Sequence, residues 1–217
     1  MIPRETKSSC GSRLKANEED ETRVVRGQVV AGSVTVLFVQ GGGAGTHDEW
    51  DDKLVESLTH ELGPGFEIRY PRMPNEDDPA YAPWKAALER EFTTLDDAAI
   101  LVGHSVGGTI LVNALAQSRP KRKFGAIFLI AAPFVGENGW PSEDMNPPPD
   151  LGARLPRDVP IYIYHGLDDE TAPVSHVELY ARAIPQARVH RLPGRDHQLN
   201  NDLSEIAATI RSLNAGR

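Results

Sequence analysis

The chain is poor in cysteine and aromatics and has no long apolar run. Its 217 residues include one cysteine, Cys10. An intrachain disulfide is therefore excluded, and so is a cysteine cluster around a metal. A reducing compartment, the cytoplasm, is the expectation. No stretch approaches the roughly 20 apolar residues that a membrane span needs. The first residues, Met1 to Glu21, are polar and lack the apolar segment of a secretory signal. Basic residues are the minority, with 23 Lys and Arg against 31 Asp and Glu, for a formal charge of -8. No basic stripe is visible, so neither nucleic acid nor an anionic membrane is an expected partner. Lys121, Arg122 and Lys123 cluster locally and read as a solvated loop before a strand.

What remains is an ordinary globular composition, 40% hydrophobic and 25% charged, in a length that suits one domain. Residues 1–22, ending in an acidic run, read as a flexible tail, and residues 23–217 as a single domain. Short apolar runs alternate with helical spacing. Strands are expected over 23–31, 34–39, 66–70, 98–102, 124–132, 159–164 and 188–192. Helices are expected over 50–62, 83–92, 109–117, 174–184 and 203–213. Alternation of this kind gives an α/β fold, a doubly wound and mostly parallel sheet with helices on both faces. In such sheets, sites gather at the carboxyl ends of the strands. Residues 133–156, rich in Pro and Gly, are long for a connection and are a candidate short lid.

The most informative stretch is Leu101-Val102-Gly103-His104-Ser105-Val106-Gly107-Gly108. It holds a Gly-x-Ser-x-Gly pattern between an apolar strand and a helix, the context of a nucleophile elbow. The flanking glycines remove side chains where strand and helix approach each other. Ser105 would sit at a helix N-terminus, where free N–H groups favour a developing negative charge. His104 beside it is expected to pack behind the turn.

A serine hydroxyl needs a base, and that base needs an orienting carboxylate. Two later stretches offer them, His165-Gly166-Leu167-Asp168-Asp169-Glu170-Thr171-Ala172-Pro173 and Leu192-Pro193-Gly194-Arg195-Asp196-His197. The order Ser, Asp, His is that of α/β-hydrolases, and the chain resembles that superfamily over roughly residues 30–215, as a compact serine esterase-like member with little or no cap. Aligned on His165-Gly166 and Pro173, the resemblance implies Asp169 as the acid, with Asp168 as rival and Ala172 in a place usually held by Val. It implies His197 as the base. His60, His165, His176 and His190 read as ordinary helix or strand residues.

The same resemblance implies an oxyanion hole built from the N–H groups of Val106 and of Gly42, with Gly43 second. Superfamily members usually have His-Gly where this chain has Gln40-Gly41. The glycine loop lacks the ending of a P-loop and the spacing of a dinucleotide fingerprint, so no nucleotide, other cofactor or metal is expected. His47, Trp50, Phe134 and Trp140 are candidate substrate contacts, with core packing as the alternative for each. The implied function is cleavage of a small-molecule carboxylic ester through an acyl-enzyme. A thioesterase, amidase, acyltransferase or cofactor-free peroxidase would use the same residues, and a non-catalytic binding protein would keep only the fold.

Overall fold

The computed structural model describes residues 22–24 and 32–215. The expected tail over 1–22 lies outside them except for Thr22. Of the strand expected over 23–31, only Arg23 and Val24 are described, within β1 (Thr22–Val24). Six further strands follow: β2 (Val34–Val39), β3 (Phe66–Pro71), β4 (Ile100–His104), β5 (Ala126–Ile130), β6 (Ile161–Gly166) and β7 (Arg188–Leu192). These six pair in parallel in the order β3-β2-β4-β5-β6-β7, and β1 runs antiparallel along the β3 edge. The helices are α1 (Asp51–Leu62), α2 (Tyr81–Thr94), α3 (Ser105–Ser118), α4 (Leu151–Arg154), α5 (Ser175–Ala183) and α6 (Ser204–Ala215).

Both faces of the sheet are covered, and the strand period of two divides the core accordingly. Leu37, Val39, Leu101, Ile127, Leu129, Ile161 and Ile163 point to one side, against α2, α3 and Tyr180 of α5. Val36, Phe38, Ile100, Val102, Phe128, Tyr162 and Tyr164 point to the other, against α1 and α6. Every residue of β4, β5 and β6 is buried, which is why these strands read as unbroken apolar runs. Helix α3 is buried from Gly107 to Ala116 and is correspondingly apolar all round.

Parallel pairing puts the strand ends at one edge. The register sets Val39 beside Gly103, His104 beside Ile130 and Gly166 beside Leu192. After β2 the chain moves outward to β3, then returns to the other side of β2 as β4. Ligands bind open α/β sheets at such a reversal of strand order, here between the loop after β2 and Ser105. Local boundaries differ from expectation at α1, because Thr46–Trp50 forms its own π-helical turn and the α-helix starts at Asp51. Residues 133–156 pack down through Val135, Met145, Leu151 and Leu155, all buried, and Asp144 accepts the Tyr81 N–H at 2.6 Å. Among the described residues, no helix is long and apolar enough to cross a membrane.

Candidate active site

Ser105 sits where β4 turns into α3, with φ of 50°. That left-handed conformation is strained for serine and is held by its surroundings. The flanking glycines follow from close backbone approach. A Cβ at Gly107 would overlap the carbonyl oxygen of Gln40, and one at Gly103 would press on the Gly108 backbone. Strand, elbow and the loop after β2 are therefore packed backbone to backbone.

The loops after β6 and β7 bring the other two residues in. His197 Nε2 lies 3.0 Å from Ser105 Oγ, and His197 Nδ1 lies 2.8 Å from Asp169 Oδ2. The second Asp169 oxygen accepts the N–H groups of Thr171 and Ala172, each at 2.8 Å. Burial works against the Asp169 charge, but the His197 hydrogen bond and these N–H groups outweigh it and hold the carboxyl below its ordinary range. His165 flanks the same carboxylate at 3.4 Å and reaches the Ala172 carbonyl at 3.0 Å. Burial keeps the His165 ring below the usual histidine value, so it is a neutral neighbour. Asp168 is exposed, and its N–H goes to the Arg195 carbonyl. Of the two adjacent acids, Asp169 is the one brought to His197. The resulting chain gives the Ser105 proton an acceptor and fixes the tautomer of that acceptor.

The loop after β2 lies against Ser105. Gly41 N–H donates to Asp51 Oδ2 at 2.7 Å, and Gly43 N–H donates to the Glu76 carbonyl at 2.6 Å. Both flanking amides are thus used within the protein, and Gly42 lies between them. A Cβ at Gly42 would lie 2.8 Å from Val106 Cγ1 and 2.6 Å from Pro79 Cγ. Val106 is in the first turn of α3, where N–H groups have no intrahelical acceptor. Gln40, in the place of the superfamily's histidine, is buried. It accepts the Met73 N–H at 3.0 Å and donates to Glu76 at 2.5 Å, so it fixes the loop from below.

The four expected substrate contacts separate. His47 is buried, stacked on Tyr70 at 4.1 Å, with its carbonyl accepting the Tyr70 hydroxyl. Its ring lies in the packing against Tyr70, the alternative given for it above. Phe134 is half-buried edge-on against Tyr180. Trp50 and Trp140 are 50% and 38% exposed. One residue escaped the sequence reading, and a second does more than its reading as an ordinary helix residue implied. Asp51 is buried at the start of α1 and bonds His104 and Gly41. His176, buried on α5, accepts the Phe134 N–H at 2.9 Å and has Trp140 edge-on at 5.7 Å, so it anchors the segment that leaves β5. Among the described residues, no group of three or more His, Cys, Asp or Glu is arranged to hold a metal.

A family model described as serine hydrolase matches residues 36–202. By sequence, no curated protein matches the chain. Solved structures do match its fold. Est1E from Butyrivibrio proteoclasticus, solved with ferulic acid bound, is 12% identical with a TM-score of 0.65 over 90% of this chain and 94% of that one. XC6422 from Xanthomonas campestris, an α/β serine hydrolase without a lid, is 17% identical with a TM-score of 0.59 over 88% and 85%. A bromoperoxidase from Bacillus anthracis is 14% identical with a TM-score of 0.63 over 84% and 91%. At these identities the likeness is one of fold.

Proposed function

The chain belongs to the serine hydrolase family, and from that premise we propose that it cleaves carboxylic esters through a catalytic triad of Ser105, His197 and Asp169. The observation that carries this reading is the unbroken hydrogen-bonded chain, 3.0 Å from serine to histidine and 2.8 Å from histidine to aspartate. Ser105 Oγ attacks the ester carbonyl while His197 Nε2 takes its proton. Asp169 holds Nδ1–H and balances the imidazolium that forms. The carbonyl oxygen becomes an oxyanion and is met by the N–H groups of Val106 and Gly42. His197 then gives its proton to the departing alcohol. Water, deprotonated by the same imidazole, releases the acid from the acyl-enzyme and restores Ser105.

Substrate contact falls to the exposed aromatics in this reading. Trp50 follows β2 and Trp140 follows β5, the strands on either side of β4. In this reading they offer apolar surface to the two ends of a small ester. The test is a fluorophosphonate probe on the purified protein, with the modified residue located by mass spectrometry. Label on Ser105 that disappears in His197→Ala is the expected result; folded protein that takes no label removes the hydrolase reading. A panel of p-nitrophenyl esters, acyl thioesters and anilides then sets the class. Thioester or anilide turnover above that of the ester would replace the ester assignment.

A further inference from the structure

Behind the nucleophile lies a second His–Asp couple that the reaction above does not use. His104, 1% exposed, has Nδ1 at 2.9 Å from both oxygens of Asp51, and Nε2 at 3.1 Å from the His197 carbonyl oxygen. A carboxylate and a peptide carbonyl only accept hydrogen bonds. Both ring nitrogens must then carry hydrogen, which makes His104 an imidazolium facing the Asp51 carboxylate. Asp51, 0% exposed, also accepts the Gly41 N–H at 2.7 Å and the Gln198 amide at 3.5 Å. One buried ion pair thus reaches three segments at once: the glycine loop through Gly41, the elbow through His104, and the histidine loop through Gln198 and the His197 carbonyl.

We propose that Asp51 and His104 are positioning residues, a buried ion pair that sets the spacing between the oxyanion amides, Ser105 and His197. The inference rests on the hydrolase reading of Ser105. Neither residue touches the reacting atoms. Their action is geometric, because the carbonyl of His197 is held by His104 and the amide next to Gly42 is held by Asp51. Charge is what makes the clamp two-sided. A neutral imidazole donates from only one nitrogen and lets go of either Asp51 or the His197 carbonyl. Burial disfavours the His104 charge, but Asp51 and the His197 carbonyl outweigh that and raise its pKa above the usual histidine value. The titratable groups facing it are Asp51 from α1, Asp169 from the loop after β6, and the His197 ring at 5.0 Å. The two acids favour the imidazolium, and a protonated His197 opposes it.

The test combines imidazole nitrogen NMR with kinetics on wild type, Asp51→Asn and His104→Gln. Wild type at pH 8 should show one histidine protonated on both nitrogens, a signal absent from His104→Gln. In Asp51→Asn that ring should be neutral at pH 8. There kcat for a p-nitrophenyl ester should fall about 10- to 100-fold, the scale of a misplaced reacting group, with KM within about threefold. The alkaline limb of the kcat profile should move to lower pH. A packing role alone would lower thermal stability and leave kcat and its pH profile in place. Wild-type kcat in Asp51→Asn, or a neutral His104 in wild type at pH 8, overturns the proposal. If Asp51→Asn does not fold, the wild-type spectrum and the kcat of His104→Gln decide. Wild type that fails to take a fluorophosphonate overturns the hydrolase reading instead, and the His104 signal is scored separately.

Discussion

The molecule holds two His–Asp couples beside one serine, one buried and one part-buried, and they differ in where the second ring nitrogen points. His197 turns Nε2 to the Ser105 hydroxyl at 3.0 Å, a group that can donate a proton as well as accept one. His104 turns Nε2 to a carbonyl at 3.1 Å, a group that can only accept. Under the proposed mechanism the same pair of side chains serves as a proton shuttle in one place and, under the proposed clamp, as a fixed cation in the other. The carboxylates differ in the same sense. Asp169 is steadied by N–H groups of its own loop, Thr171 and Ala172, and serves one histidine. Asp51 takes its N–H from a different segment, Gly41, and ties that segment to the elbow. Residue type identifies neither role; the atom opposite the far nitrogen does.

The largest break in the comparison is to remove the shuttle. Ser105→Ala and His197→Ala should each cost roughly five to six orders of magnitude in kcat, since triad members act as a unit. Both proteins should stay folded by circular dichroism, and the double variant should be no slower than either single one. Additive losses would mean the two residues do not share a step.

Next in size is the choice of acid. Asp169→Asn should leave the backbone in place, force the wrong His197 tautomer and lower kcat by about four orders of magnitude. Asp168→Asn removes an exposed side chain and should leave kcat near that of wild type. A larger loss from Asp168→Asn would overturn the assignment of Asp169.

Much of this was legible in the chain before its structure. The buried strands declared themselves because β4 and β5 have no solvent face, and β7 was bounded correctly at Arg188–Leu192. Ser105 was legible because the two glycines are demanded by backbone contacts that any such elbow makes. Asp51 was missed because an acid in the first turn of a helix reads as a solvated partner of the helix dipole. A signal was nevertheless present. Asp51, Leu54, Val55, Leu58 and Leu62 are the buried residues of α1, and their spacing puts the acid on the apolar stripe itself. An ionisable residue in register with a core face has to find a buried partner. What no spacing reveals is which one, since His104 is 53 residues away and the sheet alone brings them together.

The two couples should also separate by pH. The Asp169 pKa is depressed in the folded state, so its contribution to stability is present above the unfolded carboxylate value and is lost as pH falls through the folded one. The His104 pKa is raised, so its contribution is complete below the unfolded value of roughly 6.5 and is lost as pH rises through the folded one. Urea midpoints should accordingly decline at both ends of the range. Asp169→Asn should flatten the acid decline and Asp51→Asn the alkaline one. An alkaline decline that persists unchanged in Asp51→Asn would assign it to another group.

The smallest expected effect concerns the support beneath the glycine loop. Gln40 lies at the end of β2, accepts the buried Met73 N–H and donates to Glu76, which in turn holds the His47 N–H at 3.0 Å. Gln40→Leu keeps the size of the side chain and leaves the Met73 donor without its partner. An unsatisfied buried donor costs about 1–3 kcal/mol, which in a chain of this length lowers Tm by roughly 2–4 °C per kcal/mol. Activity should suffer less than in Asp51→Asn. The Gly43 N–H still reaches the Glu76 carbonyl, and the Gly41 N–H still reaches Asp51. The proposed donor is a backbone amide between those two anchors, so the rate of fluorophosphonate labelling at Ser105 should fall less than the 10-fold lower bound expected for kcat in Asp51→Asn. A drop in labelling as large as that of Asp51→Asn, at unchanged Tm, would move the control of the loop from Asp51 to Gln40.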